Sequence, residues 1–157
     1  MDLFCGIGNF SLPIARFCEK VVGVEGSDSA ILQARINAQK NNIANAEFYT
    51  QDLSKALLDV VWVKNHYHKI LLDPARVGAA EIMPYIAHWK PERIVYVSCN
   101  PITLARDAKQ LIELGYRLEK AGIMDMFPHT EHVEALAVFT NYKANGSASA
   151  SDLETCL

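Results

Sequence analysis

Met1-Asp2-Leu3-Phe4-Cys5-Gly6-Ile7-Gly8-Asn9-Phe10 and the residues after it, through Val21-Val22-Gly23-Val24-Glu25, carry the reading of the fold. Met1 to Phe4 reads as a strand running into a glycine turn. Phe10 to Cys18 has the apolar spacing of a short helix, and Val21 to Glu25 is a second apolar strand ending in an acid. That order is β-α-β. A first strand of three or four residues is short against the usual length of about 5–6, so an upstream portion is expected.

Working outward, Ser29 to Lys40 predicts a longer helix, with Ala30, Ile31, Ala34 and Ala38 at helical spacing and Asp28 or Ser27 as its cap. Glu47 to Thr50 reads as strand three, Lys69 to Asp73 as strand four and Arg93 to Ser98 as strand five. The last two are continuous apolar runs of the kind found in parallel strands covered on both faces, and helices are expected in the gaps. Pro101 opens another helix behind an Asn100 cap, with Leu104, Ala105, Ala108, Leu111 and Ile112 on one face. Tyr116 to Met126 and Val133 to Phe139 are strand-like runs separated only by Phe127 to His132, too short for a crossover helix. They predict an antiparallel hairpin. The expected fold is an open α/β sheet, Rossmann-like and mostly parallel, with a reversed C-terminal strand. Residues 1–142 are expected to form one domain, and Lys143 to Leu157, rich in Ala, Asn, Gly and Ser, a mobile tail.

The chain has 157 residues, half of them hydrophobic, with 18 acids against 15 bases and a net charge of -3. Such a composition excludes wholesale disorder. Its apolar runs are far shorter than the roughly 20 residues that span a bilayer, so no membrane partner is expected. The N-terminus lacks a basic and apolar leader, and a cytoplasmic location is the default expectation. A mildly acidic chain offers no global attraction to phosphate polymers, so nucleic-acid binding requires a local patch or another domain. The four cysteines, Cys5, Cys18, Cys99 and Cys156, form no C-x-x-C pair.

In an open α/β sheet, ligands collect beyond the carboxyl ends of the strands. Gly6 and Gly8 permit a tight turn where backbone amides approach a ligand closely. Glu25, 17 residues past Gly8 at the tip of strand two, is placed to accept hydrogen bonds from a ribose diol. Together they suggest an adenosine-containing ligand. The dinucleotide fingerprint is the competing reading, with Ser11 where its third glycine would stand. Asp52 and Asp73 follow strands three and four, and either of them also reads as a helix cap. A row of acids repels pyrophosphate and tolerates the sulfonium and ammonium of S-adenosylmethionine, which favours the methyl donor over NAD.

Ser98-Cys99-Asn100-Pro101 ends strand five and opens a helix. Unpaired N–H groups there favour the nucleophilic thiolate by a few tenths to about 1 kcal/mol. Cys99 is therefore a candidate nucleophile, whereas Cys5 reads as packing. Glu134 enters the last strand at the same edge of the sheet and is a candidate general base. His129 and His132 have a spacing seen in metal sites, but no further ligands accompany them and no metal is expected. Glu131 reads as a solvated turn residue. Arg76 is open to two readings, a phosphate contact or a partner for an acid.

Asp2 to Phe10, Leu72-Asp73-Pro74-Ala75-Arg76, Val97-Ser98-Cys99-Asn100-Pro101 and Phe127-Pro128-His129-Thr130-Glu131-His132-Val133-Glu134 together resemble the RNA 5-methyluridine methyltransferases. Within that family the likeness is to the RumA type that modifies bacterial 23S rRNA, and it runs from Met1 to about Tyr142. It implies the class I methyltransferase sheet and a pocket for S-adenosylmethionine from Phe4, Asn9, Glu25, Asp52 and Asp73, with Glu25 on the ribose. It further implies Cys99 as the nucleophile toward C6 of uracil and Glu134 as the base at C5. RNA is the implied partner, rRNA or tRNA, and DNA is not. The resemblance also implies an N-terminal OB-like domain carrying much of the RNA affinity and an iron–sulfur cluster on four cysteines in that part. The alternatives are a noncatalytic binding module that retains the pocket, or an NAD-dependent dehydrogenase domain.

Overall fold

The computed structural model describes residues 1–57, 60–125 and 133–142. Its seven strands are β1 (Asp2–Leu3), β2 (Val21–Glu25), β3 (Ala46–Thr50), β4 (Lys69–Leu72), β5 (Arg93–Ser98), β6 (Tyr116–Met124) and β7 (Glu134–Asn141). They form one sheet in the order β3-β2-β1-β4-β5-β7-β6. The pairs β1–β2, β2–β3, β1–β4 and β4–β5 are parallel, and β7 runs antiparallel to both β5 and β6. The expected sheet and its reversed strand are thus both present. Strand order reverses between β1 and β4, which opens a crevice at their carboxyl ends.

The apolar runs explain the burial. Val21, Val22 and Val24 in β2 and Ile94, Tyr96 and Val97 in β5 are almost fully enclosed. Gly23 lies against the ring of Phe48, where a Cβ would stand 2.7 Å from it. The β7 residues alternate between buried and half-buried, so one face of that strand is sealed more completely than the other. The sheet-edge strand β6 is exposed along nearly its whole length.

Helix α2 (Asp28–Lys40) begins behind Ser27, whose side chain accepts from the Ala30 amide, so Ser27 is the cap rather than Asp28. Helix α4 (Pro101–Glu113) is capped by Asn100, which accepts from the Ile102 amide. Two expectations are corrected. Helix α1 spans only Ser11–Ala15, ending where Arg16 and Phe17 close 3₁₀-type bonds, and Phe17 is left 88% exposed. The helices foreseen in the gaps shrink as well. Between β3 and β4 the described residues hold only a 3₁₀ turn, Val61–Lys64, and between β4 and β5 another, Ala80–Ile82, followed by α3 (Met83–Trp89). Aromatic packing overrides helix formation here. Trp62 is buried against Trp89, the Tyr67 hydroxyl donates to the Trp62 carbonyl at 2.7 Å, and the Trp89 indole N–H donates to the Val63 carbonyl at 2.8 Å.

No helix among the described residues is long and apolar enough to cross a membrane. The expected turn from Phe127 to His132, with His129, Glu131 and His132, the expected tail from Lys143, and Cys156 lie outside the described residues.

Candidate active site

The turn after β1 is built on three left-handed residues, Phe4 at φ 65°, Gly6 at φ 53° and Gly8 at φ 88°. The Gly8 amide closes the turn on the Cys5 carbonyl at 2.9 Å. A Cβ on Gly6 would meet no atom within 4 Å, so that glycine answers to backbone sign rather than packing. The space above it is open. A Cβ on Gly8 would press on Leu12, Phe48 and Ala34 at 3.3–3.5 Å, which fixes how closely α1 and α2 flank the turn. Asn9 is exposed beside it.

Glu25 leans back from the end of β2 onto this turn. Its carboxylate accepts from the Gly6 amide at 3.2 Å and from the Ser27 amide at 3.1 Å. Asp52 sits beyond β3, where it accepts from the Ser54 amide at 3.0 Å and the Ser54 hydroxyl at 2.6 Å and pairs with Lys55 at 2.9 Å. Those Ser54 bonds, aided by Lys55, hold its carboxyl down at about 2. Asp52 therefore caps a local turn, not a helix. Asp73 is the first residue beyond β4 and is half-buried; burial raises its pKa, and the Glu134 carboxylate raises it further. Two acids from different strands therefore share one stretch of the rim.

The ladder between β5 and β7 ends with Ser98 opposite Ala135. Cys99 follows Ser98 and Glu134 precedes Ala135, so both residues stand at this end of the ladder, at the carboxyl end of β5. Both are partly buried. Cys99 also directly precedes the cap of α4, so thiol, helix N-terminus and carboxylate meet at the carboxyl end of β5. Cys5, by contrast, is buried against α2, and burial pushes its thiol up to about 12. It is a packing residue, and Cys18 is exposed.

Two acids escaped the sequence reading. Asp2, 1% exposed, accepts from the Ser11 hydroxyl at 2.5 Å, while burial pushes it up to about 6. Ser11 thus serves as a donor to a buried acid where a dinucleotide turn would carry a glycine. Asp107 is fully buried in α4. Its signal was present in the sequence, an acid inside the apolar stripe of Leu104, Ala108 and Leu111. Arg76 is exposed, and its backbone carbonyl accepts from the Asn100 amide group at 2.9 Å and the Thr103 hydroxyl at 3.1 Å. Among the described residues no three His, Cys, Asp or Glu side chains group as metal ligands.

The concavity between α2 and β3 lies away from this rim, that between α4 and the β6–β7 pair reaches up to Pro101 beside it, and neither carries the rim's cluster of acids. The rim is distinguished by its chemistry. Glycine amides, a carboxylate at the tip of β2, an acid pair and a thiol line adjacent strand ends.

The chain is 59% identical over 140 residues to the 23S rRNA (uracil(1939)-C(5))-methyltransferase RlmD of Methylococcus capsulatus, covering 88% of this chain and 32% of that protein. Against RlmD of Photobacterium angustum it is 50% identical over 149 residues, 94% of this chain and 68% of that protein. The chain spans about a third of the length of most of the curated relatives it matches. The crystal structure of Pyrococcus abyssi tRNA (uracil-54, C5)-methyltransferase in complex with S-adenosyl-L-homocysteine superposes with a TM-score of 0.76 at 35% identity, over 88% of this chain and 33% of that one. A magnesium protoporphyrin IX methyltransferase from Synechocystis shares the fold at 18% identity and a TM-score of 0.67. The sequence model of the tRNA (Uracil-5-)-methyltransferase family matches residues 1–142, and the chain belongs to that family.

Proposed function

We propose that this chain is the catalytic part of a S-adenosylmethionine-dependent methyltransferase acting on C5 of a uridine in RNA, with 23S rRNA the favoured substrate and tRNA the second. The observation that supports the reading is the β5–β7 ladder, whose last pair is Ser98 and Ala135, so that Cys99 and Glu134, one residue further in each chain, both fall at the rim where the glycine turn and Asp73 also end.

The residues present fit the cofactor. Gly6 leaves open space above the turn, Glu25 supplies an acceptor at the tip of β2, and Asp73 supplies an acid beside it. Phe4, Gly8, Asn9 and Asp52 complete the proposed cofactor pocket. When bound, S-adenosylmethionine supplies an electrophilic methyl group. An acidic rim suits its positive charge and opposes the pyrophosphate of NAD, which is the reason the dehydrogenase reading is set aside.

Cys99 does the activating step. C5 of uracil is a poor nucleophile, and addition of the Cys99 thiolate to C6 forms a carbon–sulfur bond and places an enolate across C5. After C5 has accepted the methyl group, Glu134 removes its remaining proton. The electron pair of that C–H bond restores the 5,6 double bond and expels the thiolate. The base must reach the carbon next to the one the sulfur attacks, and the position of both residues at the same end of the β5–β7 ladder suits that demand. A stacked uridine has to be flipped out to reach the rim.

The net charge of -3 supports the reading that much of the RNA affinity lies outside these residues. A ribosomal RNA substrate is compatible with the cytoplasmic location we propose. RNA containing 5-fluorouridine tests the reading in the longer protein, because fluorine cannot leave as a cation and the adduct stalls. A covalent complex that is lost in Cys99→Ala supports the mechanism. A complex that persists in Cys99→Ala refutes it, and absence of any complex favours a noncatalytic module.

A further inference from the structure

We propose that Asp107 is a positioning residue for this site: it locks the loop that starts at Asp73 onto the helix that starts behind Cys99, and so fixes the acid rim relative to the nucleophile. The inference rests on the proposed function.

Asp107 is 0% exposed, and an ionised carboxylate in that position is costly unless every oxygen is engaged. Its Oδ2 accepts from the Ala79 amide at 2.7 Å and from the Tyr96 hydroxyl at 2.6 Å. Its Oδ1 accepts from Arg106 Nε at 2.8 Å and lies 2.7 Å from Arg106 Nη2. A single carboxylate thus joins three segments. Ala79 ends the loop that follows β4, Tyr96 lies three residues before Cys99 in β5, and Asp107 itself belongs to α4. A leucine here would seal the helix on the sheet without the desolvation cost, so packing alone does not account for an acid.

The rest of the same helix face grips the loop backbone. Asn100 and Thr103 donate to the Arg76 carbonyl, and Arg106 Nη2 donates to the Val77 carbonyl at 2.9 Å. Positions 100, 103 and 106–107 recur at the three-to-four spacing of one helical face. The approach is so close that a Cβ on Gly78 would lie 2.5 Å from Arg106 Nη2 and 2.6 Å from Asp107 Oδ2. Gly78 also has φ 85°. Held through carbonyls 76 and 77 and amide 79, the loop has no freedom to slide along α4, and its first residue, Asp73, is held with it.

The test compares Asp107→Asn with Leu111→Val. The second opens a cavity one turn further along α4 and leaves the hydrogen bonds between helix and loop in place. Binding of S-adenosylhomocysteine is followed by calorimetry, melting temperature by circular dichroism, and exchange of the Ala79 amide by hydrogen–deuterium mass spectrometry. Asp107→Asn is expected to weaken binding about tenfold and to speed exchange at Ala79 by at least as much, since charge-assisted bonds are lost. Leu111→Val lowers the melting temperature and leaves both nearly unchanged. Arg106→Lys, on the accessible side of the cluster, shifts both in the direction of Asp107→Asn and serves if that variant does not fold. Parent-like binding in a folded Asp107→Asn overturns the proposal, as does an equal loss in Leu111→Val. Should the parent itself not bind the ligand, the cofactor reading fails. The clamp then stands or falls on whether Ala79 exchange accelerates in Asp107→Asn.

Discussion

Asp2→Asn removes a charge from a side chain that is 1% exposed and whose Oδ1 has no hydrogen-bond partner. Burial, the largest cause, raises its pKa from 3.8 to about 6 against the opposing bond from Ser11. A raised carboxyl pKa means that the folded chain holds a proton the unfolded chain has released. Stability therefore falls as pH rises from about 4 to about 6, and the loss is complete above that window. At about 1.4 kcal/mol per pH unit, the ionised form destabilises the fold by about 3 kcal/mol above pH 7. Asparagine keeps an oxygen for the Ser11 hydroxyl and stays neutral. Its amide nitrogen replaces the unpartnered oxygen at a cost that does not vary with pH. Urea unfolding of parent and variant from pH 4.5 to 7.5 reads the difference, and contributions from groups that do not interact with Asp2 cancel; the Met1 ammonium, which burial brings down to about 6 and Asp2 holds up, titrates in the same window and is part of that difference. The variant is expected to gain about 2 kcal/mol relative to the parent across that range. A difference that stays constant within about 0.5 kcal/mol would refute the claim that burial of Asp2 dominates its ionisation.

Three more outcomes follow from the geometry. Gly23→Ala places a Cβ 2.7 Å from the Phe48 ring and 3.0 Å from Ser11 Oγ, and a cost of about 1–3 kcal/mol should appear as a lowered urea midpoint. In Glu25→Gln one of the two acceptors facing the Gly6 and Ser27 amides becomes a donor, so calorimetric affinity for S-adenosylhomocysteine falls at least about tenfold while folding is retained. Glu134→Gln leaves Cys99 able to add to uracil but takes away the proton acceptor, so mass spectrometry of the longer protein with unmodified RNA should show methylated adduct accumulating; normal turnover would assign the base elsewhere.

Much of the sheet could be read locally. Val21 to Val24 and Ile94 to Val97 are continuous apolar runs because parallel strands are covered on both faces, and the short gap before Val133 leaves only a hairpin connection. The glycine turn, Glu25 at its strand tip and Cys99 before a capped helix follow from the same short-range patterns. Helix lengths were less legible. Around Trp62 and Trp89 the burial of large rings outweighs local helical preference, and at α1 the chain turns off after Ala15.

The sequence by itself determined the strands, the turn chemistry and the candidate reactive side chains, because each depends on neighbours a few residues away. Only the tertiary structure decided that β7 inserts between β5 and β6. Had β6 taken the place beside β5, the hairpin would be unchanged and Glu134 would lie on the far strand from Cys99. Strand order and register minimise exposed apolar surface and unpaired backbone over the whole chain, a sum no local window contains. The same holds for Asp107. Its charge within an apolar stripe was visible, but the loop amide, tyrosine hydroxyl and guanidinium that neutralise it come together only when α4 packs on the sheet.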